Sequence, residues 1–161
     1  MTTWASGRCL CEAVTYTLSH RPLIVHACHC RDCQRITGSP FVVNAWVVEA
    51  DLALAGALER RSLSSGSGKG QELSTCAACG CALFTRYLLT PPGTVFLRVA
   101  TLDDPALAPP DVNIYASARA PWAPLPDAAR GTFDGYYDMK RVWAPDSLAR
   151  MRAAALAAAS A

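Results

Sequence analysis

Eight cysteines carry most of the chemistry available to this chain, and they fall in three clusters: Cys9-x-Cys11, Cys28-x-Cys30-x-x-Cys33 and Cys76-x-x-Cys79-Gly80-Cys81. A C-x-x-C step followed by glycine is a metal knuckle, because the tight turn aims backbone N–H groups at the sulfurs while both thiolates reach one ion. Zinc in a tetrahedron of four thiolates is the usual structural solution in a reducing compartment, and it requires clusters distant in the chain to meet. A thioredoxin-like redox pair would instead place a single C-x-x-C at a helix start in a βαβ unit, a context this sequence lacks. The spacings also differ from the ferredoxin runs that hold iron–sulfur clusters. Eight thiols allow two four-thiolate sites, or one four-thiolate site, one three-thiolate site and one cysteine over. The difference decides function, since four protein ligands close a site and three leave a position for water or substrate. Cys28, Cys30 and Cys33 lie close enough in sequence for one segment to hold an ion alone, which makes them the candidate open site.

The rest of the composition narrows the setting. The chain has 161 residues, one ordinary domain's worth; 52% are hydrophobic and 17% charged, which excludes a disordered polyelectrolyte. A net charge of +2 is too thin a surplus to predict nucleic-acid or acidic-membrane binding. The start, through Cys9, has neither the basic flank nor the apolar run of a signal peptide, and no apolar stretch reaches the roughly 18 residues of a spanning helix. A cytoplasmic setting is expected, in which cysteines serve as metal ligands or catalytic thiols rather than as disulfides.

The elements that must position these thiols read as mostly β. Alternation at Val14, Tyr16 and Leu18 predicts a half-buried strand, and further strands are expected at 23–25, 41–48, 83–87, 95–99 and 112–115. The polar, glycine-rich stretch from Ser64 to Gly70 reads as a hairpin tip; it lacks the spacing of a phosphate cradle. Six prolines between Pro105 and Pro126 predict long irregular loops. One short helical turn is expected after Cys30, and a true helix over about 146–160, started by Pro145-Asp146-Ser147, with Leu148, Met151 and Leu156 as its apolar stripe.

Several runs together resemble the glutathione-dependent formaldehyde-activating enzyme family. They are Gly7-Arg8-Cys9-Leu10-Cys11, Cys28-His29-Cys30-Arg31-Asp32-Cys33-Gln34-Arg35-Ile36-Thr37-Gly38, Cys76-Ala77-Ala78-Cys79-Gly80, Thr101-Leu102-Asp103-Asp104-Pro105 and Ser117-Ala118-Arg119-Ala120-Pro121-Trp122. The similarity spans about residues 4–125 and implies a β-tent fold of folded hairpins around two zinc ions, within a single domain over 1–161. It further implies that Cys9, Cys11, Cys76 and Cys79 form a closed structural site and that Cys28, Cys30 and Cys33 form an open, catalytic one. Cys81 stands where such sequences more often have Thr or Ser. It is expected as a buried free thiol, the alternative being that it closes the second site. Asn113 stands where many relatives carry His, and Ala27 where a polar residue is common.

Zinc held by three thiolates is a weak Lewis acid, better suited to keeping an incoming thiol as thiolate than to activating water. The expected activity is therefore that of a zinc-dependent carbon–sulfur lyase acting on a small thiol–aldehyde adduct. The resemblance suggests S-(hydroxymethyl)glutathione, formed from glutathione and formaldehyde. His29 is a candidate proton shuttle or a neighbour facing away from the metal, and Asp32 and Arg35 are expected to brace the knuckle. Arg119 is a candidate carboxylate clamp and Trp122 a candidate pocket wall. Two other classes compete: a non-catalytic zinc module, since a related domain occurs in a centromere-associated protein, and a structural or metal-buffering protein with both sites closed. The absence of a basic arm argues against nucleic acid as the module's partner.

Overall fold

The computed structural model of the protein describes residues 3–160; Met1, Thr2 and Ala161, which the single-domain reading includes, lie outside the described residues. Two sheets form the body. Strands β1 (Ala5–Arg8), β2 (Thr15–Leu18) and β5 (Leu52–Ala55) make a small antiparallel sheet in the order β1-β2-β5. The large sheet runs β10-β3-β4-β9-β8-β7-β6, from β3 (Ile24–Cys28), β4 (Val42–Val48), β6 (Leu58–Leu63), β7 (Gln71–Cys76), β8 (Ala82–Tyr87), β9 (Thr94–Arg98) and β10 (Val112–Ile114). Every pairing is antiparallel except β10 on β3. The mainly β architecture and the C-terminal helix agree with the expectation from sequence.

Each face of the large sheet carries a core, because side chains alternate along its strands. Val25, Ala45, Val47, Phe84, Val95 and Leu97 bury themselves against Val14, just before β2, and against Tyr16 and Leu18 of the small sheet. The opposite face packs Ile24, Cys28, Trp46 and Val112 against Tyr137, Trp143 and Met151. The last two flank and belong to helix α3 (Pro145–Ala159), which follows the single turn α2 (Met139–Val142). Met151 is buried and Leu148 half-buried, but Leu156 is 71% exposed, so the apolar stripe stops short of the helix end.

Several elements differ from the sequence expectation. The strand expected at 23–25 runs on to Cys28, because residues 26–28 pair with Val42 to Asn44 on one side and with Val112 to Ile114 on the other. The turn expected after Cys30 is a two-turn helix, α1 (Arg31–Thr37). Ser64 to Gly70 is the expected tip, closing the β6–β7 hairpin in which Leu63 pairs with Gln71. Within the small sheet Gly7 approaches its register partner Tyr16 so closely that an added Cβ would sit 2.3 Å from its ring. Asp103 clamps the same strand, accepting from Ser6 Oγ at 2.6 Å and pairing with Arg8 Nε at 3.1 Å.

Candidate metal centres

The sulfurs of Cys9, Cys11, Cys76 and Cys79 all lie within 4.8 Å of one another. Two hairpin tips bring them together. Cys9 follows β1 in the small sheet, where its N–H donates to Val14 O at 3.0 Å and its sulfur accepts from Val14 N at 3.2 Å. Cys76 ends β7 in the large sheet, and Gly80, at φ 72°, turns the chain so that Gly80 N donates to Cys76 O at 2.9 Å. A left-handed residue here strongly favours glycine. The knuckle does what its spacing requires: the backbone N–H groups of Cys81 and then Cys11 push the Cys79 thiol down to about 6. The first group therefore brings a hairpin tip of each sheet to one point.

The sulfurs of Cys28, Cys30 and Cys33 form the second group, again within 4.8 Å of one another. Among the described residues no further Cys, His, Asp or Glu joins them. Cys28 closes β3 between β10 and β4, with Ile114 and Val42 as its register partners. Cys30 caps α1, its sulfur accepting from Cys33 N at 3.4 Å. The three thiols share protons unequally. Hydrogen bonds from Cys28 and Cys33 hold Cys30 far below its ordinary value, whereas the same network, led by the bond to Cys30, pushes Cys28 well above its own. Soft thiolates this close fit zinc, which takes sulfur ligands readily.

Cys81 belongs to neither group. It is half-buried, packs against the core between the sheets and points its sulfur at Ala82 O, 3.9 Å away. His29 lies between Cys28 and Cys30 in sequence but carries its imidazole to Asn113, with Nε2 to Oδ1 at 3.2 Å. Asn113 is the register partner of Ala27, so it lies on the face of β3 away from Cys28. Its amide donates to Pro126 O at 2.8 Å and Thr132 Oγ1 at 3.1 Å, which fixes Oδ1 toward the ring and leaves the buried Nδ1 without a partner. Ala27 is fully buried. Asp32 accepts from Gly66 N at 2.8 Å and so ties the β6–β7 tip to α1, while Arg35 is exposed.

Gln34 staples the next wall in place, donating from Nε2 to His29 O at 2.6 Å and to Ala118 O at 2.9 Å. Just beyond Ala118, Arg119 and Trp122 line one shallow recess of about 410 Å³; both are exposed, Trp122 at 77%. The structure thus places these two sequence candidates together, on the loop fastened to the knuckle helix.

Residues that spacing alone did not single out also surround the second group. Tyr115 sits at φ 54°, its ring centroid 6.4 Å from that of Tyr136. Its hydroxyl is pushed up first by burial and then by the charge of Cys28. His26 and Arg98 are buried on the same sheet face as Cys28. His26 faces inward two residues before Cys28, with Tyr137 Oη 2.6 Å from Nε2. A polar residue in alternation with a cysteine was the only sequence signal for it.

A family model described as glutathione-dependent formaldehyde-activating enzyme matches residues 4–118. A crystal structure of a Rhodobacter sphaeroides protein is similar at 23% identity and a TM-score of 0.46, covering 61% of this chain and 87% of that one. Among curated proteins none matches. No helix among the described residues is long and apolar enough to cross a membrane. The family match takes in all three cysteine clusters, and the chain belongs to the glutathione-dependent formaldehyde-activating enzyme family.

Proposed function

We propose that the protein is a cytoplasmic, zinc-dependent carbon–sulfur lyase-type enzyme that joins a small thiol to a small aldehyde, glutathione and formaldehyde being the pair the family description names. The observation that carries this reading is the inequality of the two sulfur groups: four sulfurs in one and only three in the other. Cys9, Cys11, Cys76 and Cys79 would hold a closed structural zinc, and Cys28, Cys30 and Cys33 an open one. Zinc held by three thiolates supports a fourth sulfur as thiolate at neutral pH.

The reaction forms a bond between the glutathione sulfur and the formaldehyde carbon. The C=O π pair moves to oxygen, which takes up a proton while the thiol gives one up, so thiol and aldehyde combine into one S-hydroxymethyl product. Tyr115 directly follows Ile114, the register partner of Cys28, and is the O–H donor we assign to the developing alkoxide. Arg119, in its recess with Trp122, is placed to clamp a carboxylate of the tripeptide through the bidentate geometry of guanidinium. His29, locked on Asn113 behind Cys28, is a positioning residue in this reading rather than the proton shuttle.

Exchange NMR of glutathione with formaldehyde tests the proposal. Addition of the zinc-loaded protein should accelerate adduct formation over the spontaneous reaction, and Cys30→Ser should abolish the acceleration while the first centre keeps its zinc. Equal rates with and without the protein would contradict it.

A further inference from the structure

Arg98 ends β9 with only 5% of its surface exposed, and its surroundings do not balance its charge. Its guanidinium donates from Nη1 to Asn44 Oδ1 and from Nη2 to Thr85 Oγ1, the latter at 2.8 Å. Both acceptors are neutral and buried. Nε is buried without a partner, and none of the ion pairs among the described residues includes Arg98. A guanidinium keeps its proton even when buried, and an uncompensated buried charge is strongly destabilising, so a fold that retains one is expected to supply an anion nearby.

The register of the sheet places Arg98 on the face that ends in Cys28, two strands away. Arg98 pairs with Asn44, Asn44 pairs with His26, and Cys28 follows two residues later on the same face. The charges felt by Arg98, after the opposing effect of its burial, are those of Cys33, Cys28 and Cys30. Three thiolates and one divalent zinc sum to a single negative charge, which one guanidinium cancels.

We propose that Arg98 is the counter-cation of the Cys28–Cys30–Cys33 centre: its buried positive charge, on the sheet face that ends in Cys28, sets that centre's affinity for zinc. This rests on the reading of that centre as a zinc site. Arg98 acts through the cysteines and is a positioning residue, with no contact to substrate required. The same charge favours the entry of a fourth, anionic sulfur, which would otherwise meet a centre already negative. The first centre differs in that two of its cysteines, Cys11 and Cys79, are exposed to solvent, where water screens their charge.

The test is a zinc titration against a chromophoric chelator on the full chain, with zinc per chain counted in parallel. Arg98→Gln should weaken the second centre about ten- to hundredfold and leave the first unchanged. Arg98→Lys, which keeps the charge and loses the fork, should retain most of the affinity. Thr85→Val, which removes a hydrogen-bond partner and no charge, should match the wild type. Wild-type affinity in Arg98→Gln, or an equal loss in Arg98→Lys and Thr85→Val, would overturn the inference and leave Arg98 a packing residue. Should Arg98→Gln lose zinc at both centres through misfolding, Arg98→Lys decides: retained affinity supports the charge role, selective loss at the second centre contradicts it. A wild-type chain that takes up a single zinc would overturn the two-centre reading itself, a result distinct from two zincs whose affinities ignore Arg98.

Discussion

A short chain of hydrogen bonds behind Cys28 fixes the protonation state of its neighbour. Trp143 Nε1 donates to Tyr137 Oη at 2.8 Å, which leaves the Tyr137 proton for His26 Nε2. Burial pushes His26 down to about 3, so the folded protein keeps this ring neutral. The unfolded chain takes up a proton there as pH falls below about 6.5, whereas the fold does not. The stabilising effect is fully present above that value and is lost as pH falls toward 3, with a slope approaching about 1.4 kcal/mol per pH unit. Urea unfolding at about pH 7.5 and about pH 5 should show this loss in the wild type and a smaller one in His26→Gln. Tyr137→Phe strands the ring nitrogen and the indole N–H together, and the same melts should show roughly 2 kcal/mol less stability. The cysteines were legible in the sequence because each cluster is contiguous. His26, Tyr137 and Arg98 were not, since their roles depend on partners that cross-strand register and chain reversal supply.

At the scale of elements, the tip of β6–β7 and helix α1 lie 34 residues apart in sequence yet meet through Asp32 and Gly66 N. Asp32 was expected to brace the cysteine knuckle; it holds a neighbouring loop against the helix instead. Asp32→Ala should free residues 64–70 while leaving the strands intact. Hydrogen exchange at Gly66 should then quicken up to about tenfold, the equivalent of one net hydrogen bond. Unchanged exchange would mean that the tip is held by its own turn, through Ser65 and Gly70. The strands in the two cores were readable from apolar alternation, and the tip from its glycines. The extension of β3 through His26 to Cys28 was masked by a histidine and a cysteine in a strand covered on both sides. The last helix was readable from its proline start, but an Ala-rich face carries no periodic signal strong enough to show that Leu156 stays in solvent.

The whole molecule sets two different sulfur groups on one framework. The first draws a hairpin tip from each sheet to one point. The second sits at the end of a buried central strand with a buried arginine on its sheet face and an exposed arginine–tryptophan recess on the adjoining loop. Sequence spacing carried the division into four and three only with the help of family resemblance; the folded chain makes it from geometry. The most direct measurement is zinc per chain on protein purified without added metal, repeated after mild chelation during a titration with glutathione. Two zinc ions are expected, one inert and one that is labile and responds to glutathione. Two inert ions, or one ion indifferent to the thiol, would contradict that expectation.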